Sequence, residues 1–144
     1  MGKINGGRVV LGGLLAGVFL FVAEFVVQGV LLKAAWEEAM KAVGKTSVDA
    51  NMTSAMMFYA LWSLVVGIGT VWIYAAIRPR FGAGPGTAVK AGLAVWAIGS
   101  VAPTLAHLAS AIWPAQLLCT GMAAEIVLFT VAAVIGAAPY KEAA

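Results

Sequence analysis

Charge is scarce in this chain. Asp, Glu, Lys and Arg make up 10% of its 144 residues, against roughly a quarter in soluble domains, so a globular fold with a charged, solvated exterior is excluded. Cysteine is almost absent. The single Cys119 can form no internal disulfide and no CxxC redox or zinc pair, which leaves packing as its role. Histidine also occurs once, at His107, which excludes HExxH chemistry and limits a haem to one axial ligand from this residue type. No GxGxxG or GxxxxGK[ST] pattern is present. The one loop rich in Gly and Pro, "RPRFGAGPGT", reads as a basic turn near phosphate head groups rather than a nucleotide cradle. The nine Lys and Arg residues sit at the ends of apolar runs, where they orient a membrane protein, so the net charge of +3 does not imply a nucleic-acid partner.

What the chain does contain is apolar length, with 62% hydrophobic residues. Four runs, at about 9–32, 53–77, 87–113 and 115–138, are each long enough to cross a hydrocarbon core of about 30 Å. This predicts an all-α integral membrane four-helix bundle forming a single transmembrane domain over residues 1–144. The first run is about 24 residues, longer than the roughly 7–15 of a signal-peptide core, and is read as an uncleaved helix.

Lys3, Arg8, Arg78, Arg80, Lys90 and Lys141 fall in the N-terminus, the second connection and the C-terminus, which share one side of an alternating four-span chain. That side is expected to be cytoplasmic, with both termini inside. The first connection balances three lysines with Glu37, Glu38 and Asp49. Within it, "KAAWEEAMKAVG" places Trp36, Met40 and Val43 on one side and a Glu37–Lys41 i,i+4 pair on another. This predicts a short interfacial helix at about 34–44, stopped at Gly44. "TSVD" at 46–49 resembles a capping box for the second span. The glycosylation pattern at Asn51 has no secretory context and is read as chance. Trp36, Trp72, Trp113, Tyr74 and Tyr140 are read as interfacial anchors.

Polar residues inside the spans recur at helical spacing. The first span has Gly13, Gly17, Glu24 and Gln28. The second has Met56, Tyr59, Ser63, Gly67, Thr70 and Tyr74, the third Ser100, Thr104, His107 and Ser110, and the fourth Gly121, Glu125 and Ala132. Lipid cannot satisfy polar groups and neighbouring helices can, so these stripes should face one another. Gly13, Gly17, Gly67, Gly69 and Gly99 would then allow close backbone approach in the inner half. Glu24, Gln28, Tyr59, Ser63, Thr104, His107 and Glu125 would line a wetter pocket in the outer half. Counting residues from the outer ends puts Glu24, Glu125 and His107 roughly 12, 15 and 9 Å deep. Pro103 cannot donate to the carbonyl of Gly99, which predicts a kink one turn before His107.

An acid at the centre of a spanning helix costs about 2.5 to 3.5 kcal/mol, so two of them call for a use. If the pair approaches within about 6 Å, both cannot easily ionise together and a shared proton follows. His107 could relieve the repulsion as imidazolium, or join Glu24 and Glu125 around a metal ion. That set lacks the Glu-x-x-His spacing of di-iron bundles, and the residues name no cofactor. The expected function is a pocket for a proton, a cation or a small ligand, with a place in transport. The alternative is a non-catalytic accessory subunit of a larger membrane complex, and the expected partners are the lipid bilayer with either a second copy in a homo-oligomer or such a complex. An enzyme with Glu or His as general base on a lipid-soluble substrate has no motif behind it.

A 79-residue shift aligns the first and third spans with six identities in 18 positions and sets Gln28 opposite His107, which would make the bundle two parallel hairpins. The pattern of "GRVVLGGLLAG", "WIYAAIRPRFGAGP" and "GLAVW" resembles small uncharacterised four-span bacterial inner-membrane proteins over most of the chain. The resemblance implies a bacterial inner-membrane location and assigns no activity and no residue.

Overall fold

The computed structural model describes residues 3–45 and 52–143. The capping pattern at 46–49 and Asn51 lie outside them. The described chain is helical throughout: α1 (Gly6–Val26), α2 (Lys33–Ala42), α3 (Met52–Phe81), α4 (Pro85–Trp96), α5 (Ala102–Ser110) and α6 (Ala115–Ala137). Two π-helical turns interrupt the series. Val27–Leu31 extends α1, and Ala97–Val101 joins α4 to α5. Four helical stretches are long and apolar enough to cross a membrane: Gly6–Leu31, Thr53–Phe81, Pro85–Ser110 and Ala115–Ala137.

Local chemistry explains the helix ends. The Asn5 side chain accepts a hydrogen bond from the Arg8 N–H at 3.2 Å, capping α1. Pro85 opens α4, where its missing N–H costs nothing. α2 stops as Gly44 turns left-handed (φ 76°), with the Gly44 and Lys45 N–H groups returning to Lys41 and Met40. The expected break over "RPRFGAGPGT" is shorter than the sequence implies, because α3 continues through Pro79 to Phe81. A proline in the last turn removes a single ladder bond, and Gly82 still donates to the Arg78 carbonyl at 2.8 Å.

The principal contacts run α1 on α3, α3 on α4, α4 on α6 and α6 on α1. α1 and α4 therefore stand diagonally opposite. The half nearest the termini is packed on glycine. A Cβ on Gly13 would lie 2.9 Å from the Ile68 nitrogen, one on Gly17 2.9 Å from the Leu64 Cα, and one on Gly67 2.5 Å from the Gly17 nitrogen. Gly12 meets the Gly136 carbonyl in the same way, and Gly92 the Phe129 carbonyl. Without side chains at these points the backbones meet directly. Gly69 and Gly99 do not take part. They open onto an apolar groove with Val66, Ile73, Val95 and Ile98 on the bundle's outer surface.

The terminal end is closed by a polar clasp. The Tyr140 hydroxyl accepts from the Asn5 N–H at 3.3 Å, its ring packs edge-on against Tyr74, and the Arg78 guanidinium lies 5.5 Å from its centroid. Arg78 also pairs with Glu142 at 3.5 Å. Tyr140 is thus a buried staple rather than an interfacial anchor, and Tyr74 is buried as its place on the stripe of the second span implies. Position near a span end tells how deep a ring lies but not which way it faces.

Candidate functional site

At the opposite end, near α2, the bundle interior turns polar. Glu24 lies seven residues before the end of the first span, roughly 10 Å in, and Glu125 ten residues into α6, roughly 15 Å in. α1 and α6, which carry the two carboxylates, are in direct contact. Gln28, one turn beyond Glu24, lies beside both. Its Nε2 donates to Glu125 Oε1 at 3.4 Å, while its Oε1 accepts from the Trp36 indole N–H at 2.9 Å. Gly121 leaves the room that the amide occupies, since a Cβ there would sit 3.1 Å from Gln28 Nε2.

Two polar atoms in this region are buried with no hydrogen-bond partner among the described residues. They are Glu24 Oε1 and the Ser100 hydroxyl. Ser100 comes from the third span and lies beside Glu125. Three spans therefore converge on one group of side chains, and two of its members sit in π-helical turns: Gln28 in Val27–Leu31 and Ser100 in Ala97–Val101. A π turn has a wider bore and unsatisfied carbonyls, and such turns recur where function demands a distorted helix.

The structure separates the remaining sequence-nominated residues from this group. Ser63 is buried at 1% exposure, but its hydroxyl is spent on the Tyr59 carbonyl of its own helix at 2.8 Å. Tyr59 points outward with 64% exposure. Thr104 is half-buried and His107 is exposed. Among the described residues no group of three or more His, Cys, Asp or Glu could hold a metal ion, so Glu24, His107 and Glu125 do not assemble as a ligand set. The turn before Pro103 explains the displacement of His107. The proline has no N–H to give, and the chain answers with π geometry over Ala97–Val101 instead of a simple kink. One extra residue in a turn rotates everything beyond it by about 100°. Beyond Ser100 the inward-facing positions become Val101, Thr104 and Leu108, and His107 is carried off the face. The proposed register of Gln28 with His107 therefore pairs an inward residue with an outward one.

Trp36 is the partner that a depth argument passes over. It reads as an anchor, yet it is half-buried, bonds Gln28 and meets the Trp113 ring edge-on at 5.6 Å. Its spacing of eight from Gln28, about two helical turns, is the only signal the sequence offers. α2 turns Trp36, Ala39 and Met40 toward the protein, while Val43 is exposed. The ion pair on α2 forms between Lys33 and Glu37 at 3.6 Å rather than between Glu37 and Lys41. Deeper in, the Trp96 indole donates to the Met122 carbonyl at 2.9 Å, and Trp62 packs edge-on against Phe129.

No family model, curated protein or solved structure matches this chain. The geometry of the paired acids is therefore what a functional reading can be built on.

Proposed function

We propose that Glu24 and Glu125 form a binding site for a small cation, the proton included, inside a four-span membrane protein, and that the site serves transport or cation-dependent behaviour of the bundle. One observation carries this reading: Glu24 Oε1 is buried, lacks a hydrogen-bond partner among the described residues, and shares its neighbour Gln28 with a second, half-buried carboxylate, Glu125. An unsatisfied acceptor in a hydrocarbon setting is costly, as are two adjacent negative charges. A proton or a small cation between the two carboxylates removes both penalties at once. Ser100 supplies a further uncommitted oxygen to such an ion. The glycine contacts of the other half favour access from the α2 end. The lysine and arginine distribution favours a cytoplasmic location for the termini and an external one for α2, at the surface of a bacterial inner membrane.

A hydrophobic carbodiimide, which adds to protonated carboxyl groups in apolar surroundings, tests the proposal by intact-mass measurement of the purified protein. In low-sodium buffer one adduct per chain is expected, lost in Glu24→Gln/Glu125→Gln and slowed by added Na⁺ or Li⁺ if these compete with the proton. A wild-type protein that takes no adduct and responds to neither cation overturns the reading.

The open groove at Gly69 and Gly99 favours a second reading, an accessory subunit packed against a partner helix through small residues. Co-purification with a stoichiometric partner, together with normal assembly of the double Gln variant, supports that role instead.

A further inference from the structure

We propose that α2 is a lid over the acid pair and that Trp36 is its latch, holding the Gln28 amide so that its N–H, and not its carbonyl, faces Glu125. The inference rests on the reading of the pair as a cation site and adds how access to it is controlled. An indole nitrogen can only donate. Its bond to Gln28 Oε1 at 2.9 Å therefore settles which end of the amide is which, leaving Nε2 toward Glu125 at 3.4 Å. With the amide reversed, donor would face donor at Trp36 and acceptor would face acceptor at Glu125. The latch thus reaches the carboxylates through one intervening side chain.

The lid is held on one side only. Trp36 meets Trp113, in the short connection between the third and fourth spans, and Ala39 is buried at 3% exposure. The flank of the helix carries the exposed Lys33–Glu37 pair. The joint between α2 and the first span is the π-helical turn that carries Gln28 itself. Leu32 donates to the Val27 carbonyl at 2.9 Å, and Trp36 to the Leu32 carbonyl at 3.0 Å. Lifting α2 withdraws Trp36 from Gln28, frees the amide and uncovers the acids in one motion. Trp36 is a positioning residue in this scheme: it touches Gln28 and acts on Glu125 through it.

Two measurements on the full chain decide the matter. Solvent exchange of the Trp36 indole N–H, followed by NMR in detergent micelles, is expected to be slow in the wild type and about two- to tenfold faster in Gln28→Leu, in line with the net worth of one such bond to a polar partner. Equal rates overturn the latch. In the carbodiimide reaction, Trp36→Phe keeps the ring but removes the donor. Labelling is expected to rise about two- to tenfold and to spread onto Glu125, and an unchanged rate and site overturn the coupling. In a Gln28→Leu background the Trp36→Phe change is expected to add nothing, whereas an additive effect would show that Trp36 acts through packing alone. Failure of the underlying cation reading looks different, because the wild type then takes no adduct while indole exchange still reports whether the latch exists.

Discussion

At Gly12, Gly13 and Gly17 the first span lies backbone to backbone against α3 and α6. Eleven residues beyond Gly17, at Gln28, the same helix meets its neighbours through a tryptophan, an amide and carboxylates. Both regions bury an interface between helices long and apolar enough to cross a membrane, but the physics of each differs. The glycine region is held by van der Waals contact at close backbone approach, which is specific in shape and indifferent to charge. The polar region is held by directional bonds that are incompletely satisfied, with Glu24 Oε1 and the Ser100 hydroxyl left over. A packed region of the first kind is suited to stay shut. One of the second kind has capacity for something that comes and goes.

The sharpest way to break this contrast is at Gly67. Its Cβ would fall 2.5 Å from the Gly17 nitrogen, and backbone cannot swing aside as a side chain can. Gly67→Leu is expected to prevent folding, seen as loss of monodisperse protein in detergent, and Gly67→Ala to cost about 1–3 kcal/mol in thermal or denaturant unfolding. Gly69→Ala is the control. It has open space around it and is expected to change stability by less than about 0.5 kcal/mol.

Smaller effects are expected from the directional bonds. Trp96→Phe removes the indole donor from the Met122 carbonyl, and a loss of about 1 kcal/mol in the same assay would match the net worth of one such bond. Asn5→Ala removes the α1 cap, with a loss of about 0.5–2 kcal/mol. Glu24→Gln sharpens the comparison from the other side. On the proposed reading the carboxylate serves binding rather than stability, so unfolding should shift by no more than about 0.5 kcal/mol, or toward greater stability, while the carbodiimide adduct at that position disappears. The smallest effect belongs to His107→Ala. An outward-facing residue beyond the π turn is expected to change neither stability, within about 0.5 kcal/mol, nor labelling of the acids.

Much of the bundle was legible before any coordinates. Spans follow from run length, because a hydrocarbon layer demands about 20 apolar residues per crossing, and the inward face of α1 follows from the four-residue spacing of Gly13 and Gly17 and of Glu24 and Gln28. The nearness of Glu24 to Glu125 was accessible to the same reasoning, since each is the only acid in its span and their depths differ by about one helical turn. Tyr59 shows where periodicity misleads. It continues the stripe of Ser63 and Gly67, yet near the end of α3 that stripe runs past its neighbours and the ring faces outward. Tyr140 errs the opposite way, an ordinary boundary aromatic in the sequence and a buried ring in the fold, packed edge-to-face on Tyr74, which the spacing of the second span had already placed inward.

By itself the sequence determined the all-helical, multi-pass character of this protein, the small-residue face of its first span and the two acids that must be accommodated within it. Hydrophobic length and helical spacing are local quantities and need no knowledge of neighbours. Tertiary structure alone decided the phase of the third span and the role of α2. A single π turn before Pro103 turned His107 away from Glu24 and Glu125 and left Ser100 facing inward. The return of α2 over the bundle made a boundary tryptophan the partner of Gln28. The reason is geometric: one residue added to one helical turn rotates every later side chain by about 100°, and the composition of the residues concerned does not record it.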